Sequence, residues 1–267
     1  MAPRDIETTL DDSPAADHLP YRTPRARVRV HLAAEVSPTH ADLLLLVCSL
    51  ISGLMDSTLY NAYNTFVSMQ TGNTIFIALG ASNQNNKPYG WARSLCSLGF
   101  FVIGSFFFSR LHKHLGPRRR KTLVSSFLLQ TAFIVVAAAL VQGGAINGSV
   151  PNPSFTQVHW NELAPIALLS FQAAAQIVTS RALAFAEIPT IVITSLLCDL
   201  FSDPALTAPV SQNVKRNRRA AAFTLTLVGA IAGGWISKAT KGVQAALWLV
   251  AGLKLAITGA WACWPAK

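Results

Sequence analysis

Apolar residues form six runs in this chain that are each long enough to cross a lipid bilayer. A spanning helix needs roughly 20 such residues, because each adds about 1.5 Å and the hydrocarbon core is about 30 Å thick. The pattern therefore predicts an all-α integral membrane protein with about six transmembrane helices. The expected ranges are residues 41–60, 92–111, 122–142, 162–183, 220–238 and 243–264.

Two more apolar segments, at about 71–82 and 188–203, are too short to cross comfortably. Polar residues interrupt both of them, at 69–73 in the first and at 189–195 in the second. Short broken or re-entrant helices of this kind offer free backbone groups to a solute in many transporters. The alternative is that both interruptions are kinks whose lost hydrogen bonds are repaired by neighbouring helices.

Loop charges decide between six crossings and eight, because Lys and Arg favour cytoplasmic connections. Basic residues are dense in segments 110–121 and 215–219, whereas segment 143–160 contains no Lys or Arg. Both basic connections lie on one side only if each short segment enters the bilayer and returns. The order is then span, re-entrant segment, span, span, repeated with opposite orientation. This order predicts an inverted repeat of two three-helix halves.

Composition agrees with a membrane protein, since 51% of the residues are hydrophobic and only 13% are charged. The net charge of +10 comes from residues that flank apolar runs, so we expect no nucleic-acid partner. Residues 1–40 lack a long apolar run and are rich in Asp, Pro, Arg and Thr, which predicts a disordered cytoplasmic N-terminal tail. A single polytopic membrane domain is expected over residues 41–264, with a cytoplasmic C-terminus.

Two ionisable residues within the predicted spans are candidate functional groups. Asp56 lies near the end of the first span, where it could serve a solute or a proton, or act as a structural counter-ion. Lys254 lies near the middle of the last span, too deep to reach water easily. We expect a buried acid, Asp56 or Asp199, to neutralise this lysine.

Uncharged polar residues around the two interruptions complete the candidate site. If Gly72 ends one helix and Asn73 begins another, the new N-terminus would suit an anion or a carbonyl oxygen. These side chains could equally only join helices, which is the role favoured for Gln130 in the third span. The substrate-binding candidates are Asp56, Gln70, Thr71, Gly72, Asn73, Gln176, Thr194, Ser195 and Lys254.

Three further pairings bear on packing and chemistry. Arg181 and Glu187 flank the second interruption and favour an ion pair at the membrane surface. Gly229 and Gly233 form a GxxxG pattern, which allows close helix approach within one chain or in a homo-oligomer. No spacing of His, Cys, Asp or Glu predicts a metal site, and no catalytic motif or cofactor fingerprint is present.

Several motifs resemble those of the YoaK-like family of uncharacterised multi-pass membrane proteins, particularly its fungal branch. The resemblance extends over about residues 41–264 and implies an integral membrane protein, with no established substrate, cofactor or catalytic residue. Bacterial members of that family tend to have a second Thr-Gly where this chain has Thr194-Ser195. The two interruptions therefore need not play symmetric roles. The motifs are GLMD at 53–56, FVSMQTGNT at 66–74, QIV at 176–178 and EIPT at 187–190.

These observations favour a secondary transporter or exporter of a small polar or anionic solute, with proton coupling through Asp56 as an option. A channel, or a non-transporting factor that binds a lipid or a partner protein, is the alternative. An intramembrane enzyme is not expected. The expected partners are the lipid bilayer, a small solute and, as an option, further copies of the chain.

Overall fold

A computed structural model describes residues 24–84, 89–151 and 159–267 of this protein. The described residues fold into helices joined by short connections, and they contain only isolated β-bridges. In chain order the helices are α1 (Pro24–Ala33), α2 (Ala41–Tyr63), α3 (Gln70–Ala81), α4 (Gly90–Leu115), α5 (Arg120–Gln142), α6 (Leu163–Ala182), α7 (Ile193–Phe201), α8 (Val214–Thr240) and α9 (Gln244–Cys263).

Six of these helices, α2, α4, α5, α6, α8 and α9, are long and apolar enough to cross a membrane, which confirms the predicted fold class. The other two membrane-domain helices are much shorter, with 12 residues in α3 and 9 in α7. At 1.5 Å per residue they extend only about 18 and 14 Å, well short of a hydrocarbon core about 30 Å thick. Neither of the two can cross by itself.

Backbone contacts define the two ends of the helix bundle. At one end, which we call the termini face, Glu35 pairs with Arg119 and Val36 pairs with Ala266. At the other end, the far face, residues Ser149 and Gly242 form a bridge. The basic α4–α5 connection thus lies beside both ends of the described chain, in the relative arrangement that loop charge predicted. Which face is cytoplasmic stays a prediction.

The first short segment enters from the far face and returns to it. Helix α2 ends there, since the Tyr63 hydroxyl donates to the Asn147 carbonyl at 2.9 Å. Residues 64–69, re-entrant loop 1, then turn back to the level of Asp56, which lies seven residues before the end of α2, or about 10 Å. Helix α3 runs outward again, and its Gly80 packs against Trp91 at the start of α4.

The second short segment does the same from the termini face. After α6 ends, residues 183–192 form re-entrant loop 2, and the Ser180 hydroxyl binds the carbonyl oxygens of Phe185 at 2.7 Å and Ile188 at 2.6 Å. Helix α7 then returns to the termini face, where Asp203 and Arg219 lie 3.3 Å apart. Helices α3 and α7 therefore begin inside the bundle and leave it in opposite directions.

Helix packing follows the two-fold pattern expected for an inverted repeat. Helix α2 packs on α8, and α4 packs on α6, while α5 and α9 pack on each other. The first half contains helices α2–α5 and the second contains α6–α9. Exchanging equivalent helices of the two halves turns the pair of α2 with α8 into the pair of α6 with α4. The same exchange leaves the pair of α5 with α9 unchanged. The two halves are thus interlocked, because each spanning helix after a short segment packs against the first helix of the other half.

Glycines allow the two equivalent helix pairs to approach closely. Gly229 and Gly233 of α8 face carbonyl oxygens of α2, which a Cβ atom would meet at 2.0 and 2.4 Å. Gly104 of α4 faces the carbonyl oxygen of Phe171 in α6, at 2.5 Å from an added Cβ. The predicted GxxxG pattern therefore serves close packing within the chain.

The expectation of a disordered tail does not hold for residues 24–40. Residues 24–33 form helix α1, and the Arg120 guanidinium donates to the carbonyl oxygens of His31 and Trp264, both at 2.5 Å. Because Arg120 is nearly fully buried, these bonds satisfy a charge that would otherwise be costly to bury. The sequence indicated no such partner for this segment. Residues 1–23, the rest of the expected tail, lie outside the described residues.

Candidate functional site

The two re-entrant loops meet at a pair of adjoining cavities. One cavity, of about 280 Å³, lies between α2 and α8, and the other, of about 210 Å³, lies against α4 and α6. Each helix pair is the two-fold equivalent of the other, so the cavities occupy equivalent positions. Residues of both loops and the start of α7 line both cavities: Phe66, Ser68, Met69, Ile191 and Ile193.

The two cavities differ in their remaining walls. The α2–α8 cavity is bordered by the polar residues Ser52, Asp56 and Ser57 from α2, and most of its remaining lining is apolar. The α4–α6 cavity is bordered by the first turns of both short helices, which contribute four of the predicted site residues. These four residues are Gln70, Thr71, Gly72 and Thr194.

Helix α3 begins earlier than the sequence suggested. Its first residue is Gln70, so Gly72 and Asn73 lie in its first turn and do not form the junction between two helices. The chain has already reversed at Asn64, which ends α2 in the left-handed conformation with φ 50°. The Phe66 ring packs over Gly72, 2.8 Å from where a Cβ atom would stand, so a larger residue here would displace the ring.

Asn73 joins three elements and has no capacity left for a solute. Its Oδ1 accepts from the Thr65 hydroxyl at 2.9 Å and from the Phe66 N–H at 3.1 Å. Its Nδ2 donates to the Phe66 carbonyl at 2.8 Å and to Ser97 Oγ in α4 at 3.0 Å. Asn73 therefore fixes re-entrant loop 1 between α3 and α4, which is the joining role that the sequence left open.

Asp56 anchors the other side of the same loop. One carboxylate oxygen accepts the Val67 N–H at 2.8 Å and the Ser68 N–H at 2.9 Å, and the other accepts the Ser68 hydroxyl. Both amides lie just before the N-terminus of α3, where a helix carries a partial positive charge. The carboxylate is thus a built-in anion at the start of α3, and it also borders the α2–α8 cavity.

The start of α7 differs in this respect. No side chain caps the first turn of either short helix within the described residues, but among those residues no carboxylate borders the α4–α6 cavity, where α7 begins at Ile193. The first amides of a helix have no intrahelical acceptor, so those of Ile193 and Thr194 remain available beside the α4–α6 cavity. Ser195, also a predicted site residue, is exposed and is not among the residues bordering either cavity in the described part of the chain.

Thr190 lies next to the site in re-entrant loop 2, and sequence reasoning did not single it out, although it stands within the motif at 187–190. It has a φ of 59°, which is rare for a β-branched residue. Its hydroxyl is buried and has no hydrogen-bond partner within the described ranges. Next to it, Ile191 borders both cavities. Strain and an unsatisfied polar group together are typical of functional positions.

The expected acidic partner of Lys254 is replaced by two amides. The Lys254 amine donates to Gln130 Oε1 at 2.6 Å and to Gln176 Oε1 at 2.5 Å, and it lies 5.1 Å from the centre of the Phe127 ring. Asp56 is bound to re-entrant loop 1 as described above, and Asp199 is exposed on α7. The joining role predicted for Gln130 is confirmed by this bond.

Gln176 and Lys254 lie behind the cavity wall. Gln176 Nε2 donates to Ser52 Oγ at 2.9 Å, and Ser52 borders the α2–α8 cavity. Neither Gln176 nor Lys254 is among the cavity-lining residues in the described part of the chain. Both residues are almost completely buried, so they support the wall and do not contact its contents.

Ion pairs also lie where the sequence did not indicate them. Arg93 and Glu162 form a buried pair at 2.5 Å, and Arg218 lies 2.8 Å from both Asp42 and Glu187. The expected pair of Arg181 with Glu187 is wrong, because the Arg181 guanidinium donates to the Ala186 carbonyl instead, at 3.3 Å. Glu187 pairs with Arg218, which also pairs with Asp42. The guanidinium carbon of Arg218 lies 4.8 Å from the centre of the Phe185 ring.

No group of three or more His, Cys, Asp or Glu residues could hold a metal ion within residues 24–84, 89–151 and 159–267. The polar groups that face the cavities are hydroxyls, amides, backbone N–H groups and one carboxylate. This set can bind a small polar or anionic molecule by hydrogen bonds.

Six apolar spans with two short helices between them define a multi-pass membrane protein. A family model described as "Protein of unknown function (DUF1275)" matches residues 44–260, which is most of the chain. The chain belongs to this family. Comparison with curated proteins gives no match, and comparison with solved structures gives none.

Proposed function

We propose that this chain is a secondary transporter or exporter of a small polar or anionic solute, which passes between the two re-entrant loops. The observation that carries the proposal is the meeting of the two loops, and of the first turns of α3 and α7, at one cavity. Interrupted helices from two inverted halves recur in secondary transporters because their ends supply backbone groups near the midplane.

The two helix starts have different roles in this proposal. The carboxylate of Asp56 already lies at the start of α3, so an anionic solute is attracted less strongly there. The start of α7 has free first-turn amides and the Thr194 hydroxyl beside the α4–α6 cavity. An anionic or carbonyl oxygen of the solute therefore binds at Ile193 and Thr194, while Thr71 contacts it from the opposite wall.

Asp56 couples protons to this movement in our proposal. Its carboxylate accepts two backbone N–H groups of re-entrant loop 1, and a protonated acid accepts such bonds more weakly. Protonation would also remove the negative charge at the start of α3. The loop is then released on one side, next to the cavity that it helps to enclose.

Solute flux in reconstituted vesicles tests the proposal. A panel of small carboxylates, inorganic anions and neutral amides is supplied with and without a proton gradient. Flux of at least one of them, lowered by Thr194→Val and by Thr71→Val but unchanged by Ser195→Ala, supports transport through the α4–α6 cavity. Ser195 is a suitable control because it is the neighbour of Thr194 and, unlike Thr71 and Thr194, borders neither cavity among the described residues. Vesicles that move neither the panel nor protons would contradict the proposal.

The apolar walls of the α2–α8 cavity favour a second candidate, a non-transporting protein that binds a lipid chain. Phe223, Leu227 and Ala230 from α8 face Phe66 and Met69 across this cavity. Mass spectrometry of the intact protein released from detergent would reveal a retained lipid. A stoichiometric lipid, lost in Ala230→Phe, together with absent flux would favour this candidate over transport.

Two finer assignments also belong to the proposal. The motifs at 53–56 and 66–74 support membership of the YoaK-like group and its fungal branch within the wider family. The hydroxyl, amide and carboxylate groups at the cavities are arranged for binding, and we propose no enzymatic activity.

A further inference from the structure

Arg93 and Arg218 occupy equivalent positions in the two halves of the chain. Arg93 lies three residues after the start of α4, and Arg218 four residues after the start of α8. Each arginine pairs with an acid at the start of the helix that its own helix packs against. Glu162 directly precedes α6, and Asp42 is the second residue of α2.

The inverted arrangement puts these pairs at opposite faces of the molecule. Glu162 is at the far face, since the neighbouring Trp160 ring contacts the Tyr89 ring before α4, with centroids 5.6 Å apart. Asp42 is at the termini face, six residues after Val36, which pairs with Ala266. The two cavities lie between the faces, along the same two helix pairs that the arginines connect.

The two sets of ion pairs differ in their contact with water. The side chains of Arg93 and Glu162 are only 8% and 0% exposed. Those of Arg218, Asp42 and Glu187 are 23%, 16% and 9% exposed. Separating a buried pair leaves uncompensated charge in an apolar place, whereas hydrated partners separate at lower cost. The ion pair at the far face is therefore the more costly of the two to separate.

We propose that these ion pairs control access to the cavities from the two faces and are broken alternately. Arg93 with Glu162 closes the α4–α6 pair at the far face. Arg218 with Asp42 and Glu187 closes the α2–α8 pair and holds re-entrant loop 2 at the termini face. The inference rests on the proposed transport function, because only a transporter needs both closures. It adds the residues that regulate the same site.

Close glycine packing already holds both helix pairs together near their middles. Charged pairs at the helix ends are therefore not needed for contact between the helices, and well-packed apolar residues would serve stability as well. An ion pair differs from such packing because water or a charged solute can replace either partner when the face opens. This property suits a closure that must be reversible.

Cysteine accessibility tests the proposal without relying on flux. The four native cysteines are replaced by alanine, and Ile191→Cys places a single thiol at a buried position that borders both cavities. A membrane-impermeant thiol reagent is applied to either face, in intact cells and in inverted vesicles. We expect Arg93→Gln to raise the labelling rate from the far face about tenfold, and Arg218→Gln to raise it from the termini face about tenfold, as the open minor state becomes more populated.

Matched controls lie at each face. Lys238→Gln at the far face changes a side chain whose amine lies over the Trp235 ring, and Arg181→Gln at the termini face changes one bonded to a nearby carbonyl. Neither should alter labelling. The double exchange Arg93→Glu with Glu162→Arg should restore slow labelling, whereas Arg93→Glu alone should not, which separates a specific pair from general disruption.

The outcomes are separable from those of the flux experiment. Unchanged labelling in both arginine variants, or equal increases from both faces, overturns the access proposal even if the protein transports. Face-specific increases in a protein that moves no solute support access control and count against the transporter. If Arg93→Gln fails to insert into the membrane, the double variant Arg93→Glu with Glu162→Arg is the one to measure. Fast labelling of this double variant from the far face overturns the proposal.

Discussion

Lys254 donates a hydrogen bond to the residue that occupies its own equivalent position in the other half of the chain. Gln130 lies ten residues after the start of α5, and Lys254 lies ten residues after the start of α9. Their bond of 2.6 Å joins α5 and α9, the one helix pair that the two-fold exchange returns to itself. The second hydrogen-bond partner of Lys254 is Gln176 of α6, which extends the contact to α2 through Ser52. One buried amine thus connects four helices at the centre of the repeat.

The first prediction concerns this contact. Lys254→Met should lower the stability of the detergent-solubilised protein by about 1–3 kcal/mol, because it leaves buried amide oxygens without a donor. Gln130→Leu should cost a similar amount. The double variant should lose less stability than the sum of the two single losses, by about 1 kcal/mol or more, since the bond can be lost only once. Thermal unfolding of the four proteins measures this, and strictly additive costs would contradict a direct bond.

Asp56 provides the second prediction. Asp56→Asn keeps the size of the side chain but replaces one acceptor oxygen with an NH₂ group that cannot accept the Ser68 hydroxyl. We expect re-entrant loop 1 to loosen, with faster amide hydrogen exchange at Val67 and Ser68 than in the unchanged protein. Ser68→Ala should have a smaller effect, because both backbone amides keep a charged acceptor, which Asp56→Asn replaces with a neutral and weaker one.

The same variants separate positioning from solute contact. If Asp56 acts through the loop, Asp56→Asn should lower flux and raise exchange together, while Ser68→Ala should change both only slightly. Lost flux with normal hydrogen exchange at the loop would instead show that the carboxylate itself carries a proton or contacts the solute.

The spans could be predicted well because hydrophobicity and loop charge act locally. The first expected span, 41–60, lies within α2. The two basic connections lie on the same side only if neither short segment crosses, so loop charge alone predicted that both segments are re-entrant. The start of α3 could not be placed from sequence. It depends on Asn64 reversing the chain and on Asp56 and Asn73 holding the loop, which are contacts between segments and not local preferences.

The partners of Lys254 illustrate the same limit. An acid was the reasonable expectation for a buried amine, and a sequence contains no signal that two amides will converge on it. Gln130 stands 124 residues away in the chain, and Gln176 stands 78 away. The arginine pairs were missed for a similar reason, since Arg93 and Glu162 belong to different spans. Comparing equivalent positions of the two halves is the signal that could have found the arginines.

Topology provides the third prediction. Single cysteines at Asn83 and Lys241 should react with an impermeant thiol reagent from one face, and those at Lys121 and Lys215 from the other. Lys241 is at the far face because its carbonyl accepts the Val150 N–H at 3.0 Å. Labelling intact and permeabilised cells measures the sides. If Lys121 and Lys215 react from different sides, the inverted repeat is wrong.

Two adjacent glycines of α8 provide the fourth prediction. Gly233 faces α2, where an added Cβ would lie 2.4 Å from the Leu54 carbonyl oxygen, whereas Gly234 has nothing within 4 Å of an added Cβ. Gly233→Ala should therefore push α2 and α8 apart and destabilise the protein by about 1–3 kcal/mol or more. Gly234→Ala is the matched control, since it adds the same methyl group one residue away. It should be neutral or stabilise by up to about 1 kcal/mol, because alanine favours the helix. Thermal unfolding in detergent compares them, and equal stabilities would show that the close contact of α2 with α8 is absent.

The contact also forms one wall of the α2–α8 cavity, so a destabilised Gly233→Ala protein should be more readily labelled at Ser57→Cys, a residue that borders the cavity.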